Sequence, residues 1–434
     1  MRIKVFLYNT LVIFWLSSFL NIFIWSMFLS LFCVSIISLL LKGIDLIKTR
    51  VLAERLTYED LFLYGQVFRF PKFYIPFIGI VKFWFICIFI IASFLIIFIY
   101  NCIDLFLNFD LFIFFIRVIL FCLLSIFILN FAKKHEITEL SDVITKKGLF
   151  LTMVIYSQSS SKKEIVCDSL DFPVNMPNHI IVVQSESFVI IDDENIKHST
   201  ELTKGKLKVP CYGAYTMRSE FMFLTGLNLS DLGANNFNPY RKKYKNISNS
   251  YIEQLKNKGY YCVAIHPSNK AFFNRNKVFE HFGFDEFICG SYFSDNDIFV
   301  SDKELFSFVK DFLLLKDDEK LFIFVITIGA HGPYSLVRKD PEEYAQNTGN
   351  HEMNTYMDLN FKAINMLNDF VEFGMQNQDD LLIWYGDHKP SISRFNFALD
   401  GMYKTNYLIS NHRHNADEIG VASLLQYSLD TKQH

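Results

Sequence analysis

His179-Ile-Ile-Val-Val-Gln184, running into Ser185-Glu186-Ser187, is the stretch from which the fold is read. A short, unbroken β-branched run bounded by polar residues reads as a strand covered on both faces, the habit of parallel sheets. It delivers a carboxylate, Glu186, to the carboxyl end of the strand, where open α/β sheets bind their ligands. The pattern returns downstream. Gly259-Tyr-Tyr-Cys-Val-Ala-Ile265 delivers His266, and Leu321-Phe-Ile-Phe-Val-Ile-Thr-Ile328 leads into Gly329-Ala-His331-Gly-Pro-Tyr334. Leu381-Leu-Ile-Trp-Tyr385 delivers Gly386-Asp387-His388-Lys-Pro390. Helical patterns over Met217–Leu224, Tyr251–Lys258, Glu304–Leu315 and Met353–Phe373 fall between and around these runs. Alternating strands and helices predict an α/β domain with a largely parallel sheet.

Upstream the chain changes character. Of 434 residues 51% are hydrophobic and 48 are Phe, but the apolar sequence is concentrated in residues 1–132. That region predicts three or four membrane spans: residues 4–41 as one long span or a tight pair ending at Leu40-Leu41-Lys42, then about 83–101 and 111–131. Lys42, Lys48, Arg50, Arg55, Arg69, Lys72 and Lys82 in the loop 42–82 point that loop to the cytoplasm by the positive-inside rule. Its amphipathic Tyr58–Phe77 portion is expected to lie on the bilayer surface. Residues 133–178 read as an interfacial helix, Glu139–Ser157, plus a polar linker, Ser157-Gln-Ser-Ser-Ser-Lys-Lys163, and the globular domain as 179–434. A net charge of −3 speaks against nucleic acid as a partner. The eight cysteines contain no C-x-x-C pair, which removes zinc-ribbon and thioredoxin readings; one disulfide in the soluble half is open if it faces an oxidising compartment.

Parallel strands bring their carboxyl ends to one edge, so Glu186, His266, His331, Asp387 and His388 are expected to converge. Gly213-Ala-Tyr-Thr-Met-Arg-Ser-Glu-Phe221 adds Thr216 at a helix start, after the turn-prone Pro210-Cys-Tyr-Gly213. A threonine there is also an ordinary helix cap, but its hydroxyl would stand beside unpaired N–H groups that favour an anionic phosphate. Glu186, Asp387 and His388, with the Thr216 oxygen, form a donor set for Mn²⁺, Mg²⁺ or Zn²⁺; manganese is taken first. Such a metal would activate the threonine for nucleophilic phosphoryl transfer. Arg275 could clamp a phosphate, and His266 and His331 could hydrogen-bond substrate or move a proton.

Taken together, Glu186 after a first strand, T-x-R-S-E-F at Thr216, F-F-N-R ending at Arg275, G-A-H-G-P-Y around His331 and G-D-H-K-P at 386–390 resemble the alkaline-phosphatase/sulfatase superfamily. The match runs over roughly 179–390 and is nearest to the membrane-anchored phosphoglycerol transferases, the branch of lipoteichoic acid synthase. The resemblance implies a sulfatase-like α/β/α domain outside the bacterial cytoplasmic membrane, against the loop charges. It implies Glu186, Thr216, Asp387 and His388 as metal ligands, Thr216 as nucleophile, and His266, Arg275 and His331 as substrate contacts. The implied partners are phosphatidylglycerol or another phospholipid as donor and a cell-surface glycan as acceptor. Phosphoethanolamine transfer, phosphodiester hydrolysis and a non-catalytic role in envelope assembly are the alternatives. Ser268 stands where lipoteichoic acid synthases generally carry Asp, and Phe273 where they often carry Trp, which leaves headgroup and acceptor open. Cys211-Tyr-Gly-Ala-Tyr215 lacks the Pro and Arg of the formylglycine signature, which argues against sulfate-ester hydrolysis.

Overall fold

The structure is a computed structural model. It describes residues 2–69, scattered positions within 81–100, and residues 110–134, 140–158, 164–191, 195–197, 202–241, 243–293, 300–335, 348–374, 380–392, 399–410, 412 and 416–430. The chain divides into two compact units, Met1–Ser161 and Lys162–His434.

Among the described residues of the first unit, three helices are long and apolar enough to cross a membrane: Arg2–Phe23, Met27–Leu52 and Leu111–Lys133. The apolar stretch beginning at residue 4 is therefore a pair, parted at Ile24-Trp25-Ser26, with the Ser26 side chain accepting from the Leu29 N–H at 3.3 Å. The second helix does not stop at Lys42 as expected but continues to Leu52. Its charges find partners: Arg55 grips Asp45, with Nη2 at 2.7 Å, and Lys48 reaches Asp60 at 2.7 Å. Once paired, a carboxylate or ammonium no longer forces the helix to end. The span expected at 83–101 falls mostly on positions outside the described residues, as does the later part of Tyr58–Phe77. The described part of that segment folds as a short helix, Asp60–Tyr64, and a 3₁₀ turn, Gly65–Phe68. Instead of one interfacial helix the chain forms two, Leu140–Lys147 and Leu149–Gln158, the latter buried along most of its length. An apolar sequence on all sides has no polar face to offer a surface, so it packs inside the unit.

The second unit begins before residue 179. Strand β1 (Ile165–Val166) pairs in parallel with β4 (Ile247–Ser248), and the Leu170 N–H donates to Gln254 Oε1 at 2.7 Å, so residues ahead of 179 already belong to the globular unit. The main sheet has eight strands: β2 (His179–Ser185), β3 (Leu202–Lys208), β5 (Tyr261–His266), β6 (Glu286–Cys289), β7 (Leu321–Ile326), β8 (Leu381–Gly386), β9 (Lys404–Ser410) and β10 (Glu418–Gly420). Their order is β10-β3-β9-β8-β2-β7-β5-β6. From β8 to β6 all are parallel; β9 runs antiparallel between β8 and β3, and β10 is parallel to β3. The sheet is mostly parallel, as expected, with one reversed strand.

Helices cover both faces. Phe223 of the Thr216–Thr225 helix stacks on Tyr385 and Phe324, with ring centroids 5.2 and 5.7 Å apart. On the opposite face Trp384 meets Phe306 of the Asp302–Leu315 helix at 5.1 Å, and Phe306 meets Phe370 of the His351–Gly374 helix at 5.2 Å. Each such buried aromatic contributes about 1.5–3 kcal/mol from apolar burial alone. Gly386, which ends β8, is required by space: a Cβ there would lie 2.1 Å from the Phe188 carbonyl oxygen. All four cysteines of this unit are free, and Cys167, Cys211 and Cys262 are buried, so the disulfide left open by the sequence does not form.

Candidate active site

Register builds the centre of the site. Ser185 of β2 pairs with Gly386 of β8, so Glu186 and Asp387 leave the sheet side by side. One ligand atom from each of Glu186, Asp387 and His388 lies within 4.8 Å of the others, and all three residues are buried. His388 Nε2 is 3.6 Å from Glu186 Oε1 and 3.4 Å from Asp387 Oδ2.

Thr216 joins them from the next element. Its Oγ1 is 3.5 Å from His388 Nε2. Thr216 is the first helical residue rather than the cap: Tyr215 holds the cap position in a left-handed conformation, φ 71°, and its side chain does not cap the helix. The threonine hydroxyl is thus spared the capping role a bland reading would give it. Two bonds tie the helix to the ligand loop: the Gly213 N–H donates to the Lys389 carbonyl at 2.9 Å, and Ser219 Oγ donates to the Asp387 carbonyl at 2.7 Å.

Behind the three clustered side chains stands Ser187, which the sequence reading passed over. It too is left-handed, φ 53°, a conformation that costs a non-glycine residue energy and clusters at functional sites. Its N–H donates to Asp387 Oδ1 at 2.9 Å, and its hydroxyl donates to Glu186 Oε1 at 2.9 Å. His388 Nδ1 is 3.4 Å from the same hydroxyl and 3.1 Å from the Lys389 carbonyl. A proton on Nδ1 satisfies both and leaves the Nε2 lone pair facing Thr216 and the carboxylates. The Tyr356 hydroxyl donates to the Ser187 carbonyl at 2.8 Å, fixing the turn from outside.

The donor set fits a divalent metal. Asp387 Oδ1 accepts from the Ser187 and His388 N–H groups, but Oδ2 is buried with no hydrogen-bond partner. Burial, and then the neighbouring Asp387, push the Glu186 carboxyl up to about 8. Two buried carboxylates with an orphan oxygen, facing an imidazole lone pair, are short of one cation. Two oxygens and one nitrogen suit zinc, manganese or magnesium alike.

The remaining residues form a second layer. Arg275 opens the Arg275–Phe282 helix, behind Phe273 and Asn274, both left-handed at φ 53° and 63°. Its guanidinium is buried: Nε donates to Glu220 Oε2 at 3.0 Å, Nη2 to Glu220 Oε1, and Nη1 contacts His266 Nε2 at 3.0 Å. The two-pronged face that the sequence offered to a phosphate is held here by Glu220. His266 Nδ1 lies 3.0 Å from the Ile326 carbonyl, the strand neighbour that register places opposite it. Burial, and then the Arg275 charge, hold this imidazole well below its ordinary range. It is neutral, with both nitrogens engaged, and suited to hold Arg275 rather than to carry a proton. His331 is partly exposed, and its charge reaches His266. Glu220, passed over in the sequence, follows Arg218 and Ser219 just ahead of the apolar run Phe221–Leu224; it is fully buried, and its role shows only in the ion pair with Arg275.

Comparison with known proteins gives the family. The model described as Sulfatase matches residues 178–425. A capsular polysaccharide biosynthesis protein of Rhizobium meliloti is 28% identical over 234 residues, 50% of this chain and 42% of that protein. The lipoteichoic acid synthase of Staphylococcus saprophyticus is 28% identical over 151 residues, 33% of this chain and 23% of that protein. Both matches span less than half of the relative's length. Among solved structures, the Streptococcus pyogenes phosphoglycerol transferase GacH, in complex with sn-glycerol-1-phosphate, is similar with a TM-score of 0.48 and 22% identity, over 60% of this chain and 77% of that one.

Proposed function

From the premise that the chain belongs to the sulfatase family, we propose that it is a membrane-anchored, metal-dependent phosphoglycerol transferase. The donor is phosphatidylglycerol, and the acceptor is a hydroxyl of a cell-surface glycan. The unit Lys162–His434 is the catalytic domain, on the outer side of the bacterial cytoplasmic membrane, where such an acceptor lies. The observation that carries the reading is the Thr216 hydroxyl 3.5 Å from His388 Nε2, beside the buried Glu186–Asp387–His388 cluster. The sequence likeness to a lipoteichoic acid synthase and to a capsular polysaccharide biosynthesis protein supports a surface-glycan setting.

Glu186, Asp387, His388 and the Thr216 oxygen would hold the metal, taken as manganese. When bound, it lowers the pKa of the threonine hydroxyl and offsets phosphate charge. Thr216 Oγ attacks phosphorus, the phosphorus–oxygen bond to diacylglycerol breaks, and the threonine proton ends on the departing diacylglycerol oxygen. His331, partly exposed, is the residue we assign to that proton. An acceptor hydroxyl then attacks the glycerophosphoryl-threonine, loses its proton and frees Thr216. Glu220 and His266 hold Arg275 behind the cluster, where its charge reaches Glu186.

The test is a mass adduct. Full-length protein incubated with Mn²⁺ and phosphatidylglycerol, without acceptor, should gain a glycerophosphoryl group on the Thr216 peptide. A phosphoethanolamine adduct from mixed lipids would change the donor and keep the chemistry. No adduct and no diacylglycerol release, with metal bound, would overturn the reading. Thr216→Ala should cut turnover by at least about a thousandfold; surviving turnover would remove Thr216 as nucleophile.

A further inference from the structure

Among the described residues, the exposed positive charge on the spanning helices of the first unit gathers at one end. Side-chain contacts fix which end. The Trp15 indole N–H donates to Ser125 Oγ at 2.8 Å, Arg117 donates to the Asn21 carbonyl at 3.0 Å, and the Tyr8 and Phe131 rings are 5.8 Å apart. Arg2–Phe23 and Leu111–Lys133 are therefore antiparallel, with the Arg2 end beside Lys133. Met27–Leu52 returns toward that same end after the Ser26 turn. There Lys42 Nζ is 5.7 Å from the Phe150 ring and Lys147 Nζ is 5.2 Å from the Tyr8 ring. Lys42 lies sixteen residues beyond Ser26, and Lys133 sixteen beyond Arg117. At 1.5 Å per residue each stands about 24 Å from the Trp25–Arg117 level, so they share one height.

Lys4, Lys42, Arg50, Lys133, Lys134 and Lys146 are all exposed at this end. Of the described carboxylates in the same stretches, Asp142 is exposed, whereas Asp45 pairs with Arg55, and Asp60 and Glu54 pair with Lys48. At the opposite end Asp110 is exposed, and Arg117 gives its guanidinium to the Asn21 and Trp25 carbonyls and to the Trp25 ring, 3.9 Å away. Among the described residues the helices thus present an apolar wall with one basic rim.

We propose that this rim binds anionic phospholipid headgroups and holds a shell of anionic lipid around the end of the bundle, as a site separate from the catalytic cluster. The occupant follows from charge and position. Ammonium and guanidinium groups at the edge of an apolar wall meet lipid headgroups first, and basic groups near a membrane surface favour anionic ones. Two of the lysines at this level lie over aromatic rings, which keeps the positive charge at the interface. The inference stands whichever headgroup the catalytic site transfers.

Spin-labelled lipids test it. Full-length Thr216→Ala protein, which does not consume lipid, is reconstituted in phosphatidylcholine vesicles. The fraction of motionally restricted label is then compared for phosphatidylglycerol, phosphatidylserine and phosphatidylcholine. Both anionic labels should associate about threefold or more over phosphatidylcholine at low salt, and the preference should collapse at high salt. It should also collapse in a Lys42→Gln/Lys133→Gln/Lys134→Gln/Lys146→Gln variant that still binds Mn²⁺ as the parent does. Equal association of all three labels overturns the proposal. So does a preference that survives the four substitutions, or one for phosphatidylglycerol that phosphatidylserine does not share, since that would belong to the catalytic site.

Discussion

Ser187 offers the sharpest test at the scale of one residue. It bonds to Glu186 and Asp387 and sits beside His388, so Ser187→Ala removes the hydroxyl that orients two of the three while leaving the backbone bond to Asp387. Outer-layer partners of this kind typically change metal affinity by about 10–100-fold. Calorimetric titration with Mn²⁺ should show that loss, with the far-ultraviolet spectrum unchanged. Glu220→Gln makes a different prediction. It strands the buried Arg275 charge, which should cost about 3–5 kcal/mol in urea unfolding. Adding Arg275→Met should restore much of the stability by removing the stranded charge. Neither Ser187 nor Glu220 announces itself in the sequence. A serine beside a strand-end carboxylate looks like loop, and a buried carboxylate is recognisable only once its arginine, far along the chain, is seen against it. That Glu186, Asp387 and His388 would come together was legible because strand-end position is a property of local sequence, and parallel pairing then collects such positions on one edge; Thr216 joins them from a helix start.

At the scale of elements, strands read correctly where they are apolar and were missed where they are polar. β2, β7 and β8 are buried at every residue, and their sequences are nearly continuous Ile, Val, Leu and Phe. β3, Leu-Thr-Lys-Gly-Lys-Leu-Lys, and β9, Lys-Thr-Asn-Tyr-Leu-Ile-Ser, carry too much polar side chain to show a buried run. They lie toward the β10 edge; β9 is buried at all but its first residue despite its polar side chains, so tertiary pairing rather than local composition decides the conformation. The start of β2 is anchored to the start of β8 by an ion pair, His179 Nδ1 to Asp380 Oδ2 at 3.1 Å. The hydrogen bond to Asp380 raises the His179 pKa despite burial. A histidine whose folded pKa lies above its unfolded value stabilises fully below about pH 6.5, and that contribution is lost as pH rises through the folded pKa. The urea midpoint should therefore fall over that window. In Asp380→Asn this part of the pH dependence should be absent; an unchanged profile would remove the pair as its source.

For the whole molecule, the division at Ser161 and Lys162 separates two kinds of stability. The candidate metal-holding residues Glu186, Asp387 and His388 all lie in the second unit, so chelation should act on that unit alone. Ligand at 100 times its Kd adds about 2.7 kcal/mol to the state that binds it. Scanning calorimetry of the full-length protein should show one transition falling on addition of EDTA and returning with Mn²⁺, while any transition of the first unit stays in place. A shift of both together would mean that the two units unfold as one. The sequence marked the change of character near residue 132 but set the start of the globular part at 179. Composition cannot show that residues 165–166 pair with 247–248 across a long intervening stretch.

Cys211 is fully buried one residue beyond Pro210, with its sulfur 3.6 Å from the Tyr215 carbonyl and 3.9 Å from Ser219 Oγ. A thiol in that position acts as a clock for the turn that presents Thr216. An alkylating reagent reaches it only when the turn opens, so its labelling rate counts openings. Occupancy of the neighbouring cluster should slow that rate, whereas Cys262, buried within β5 itself, should hold its own pace. The pair would let one labelling experiment separate breathing of the site from breathing of the sheet, with no substrate present.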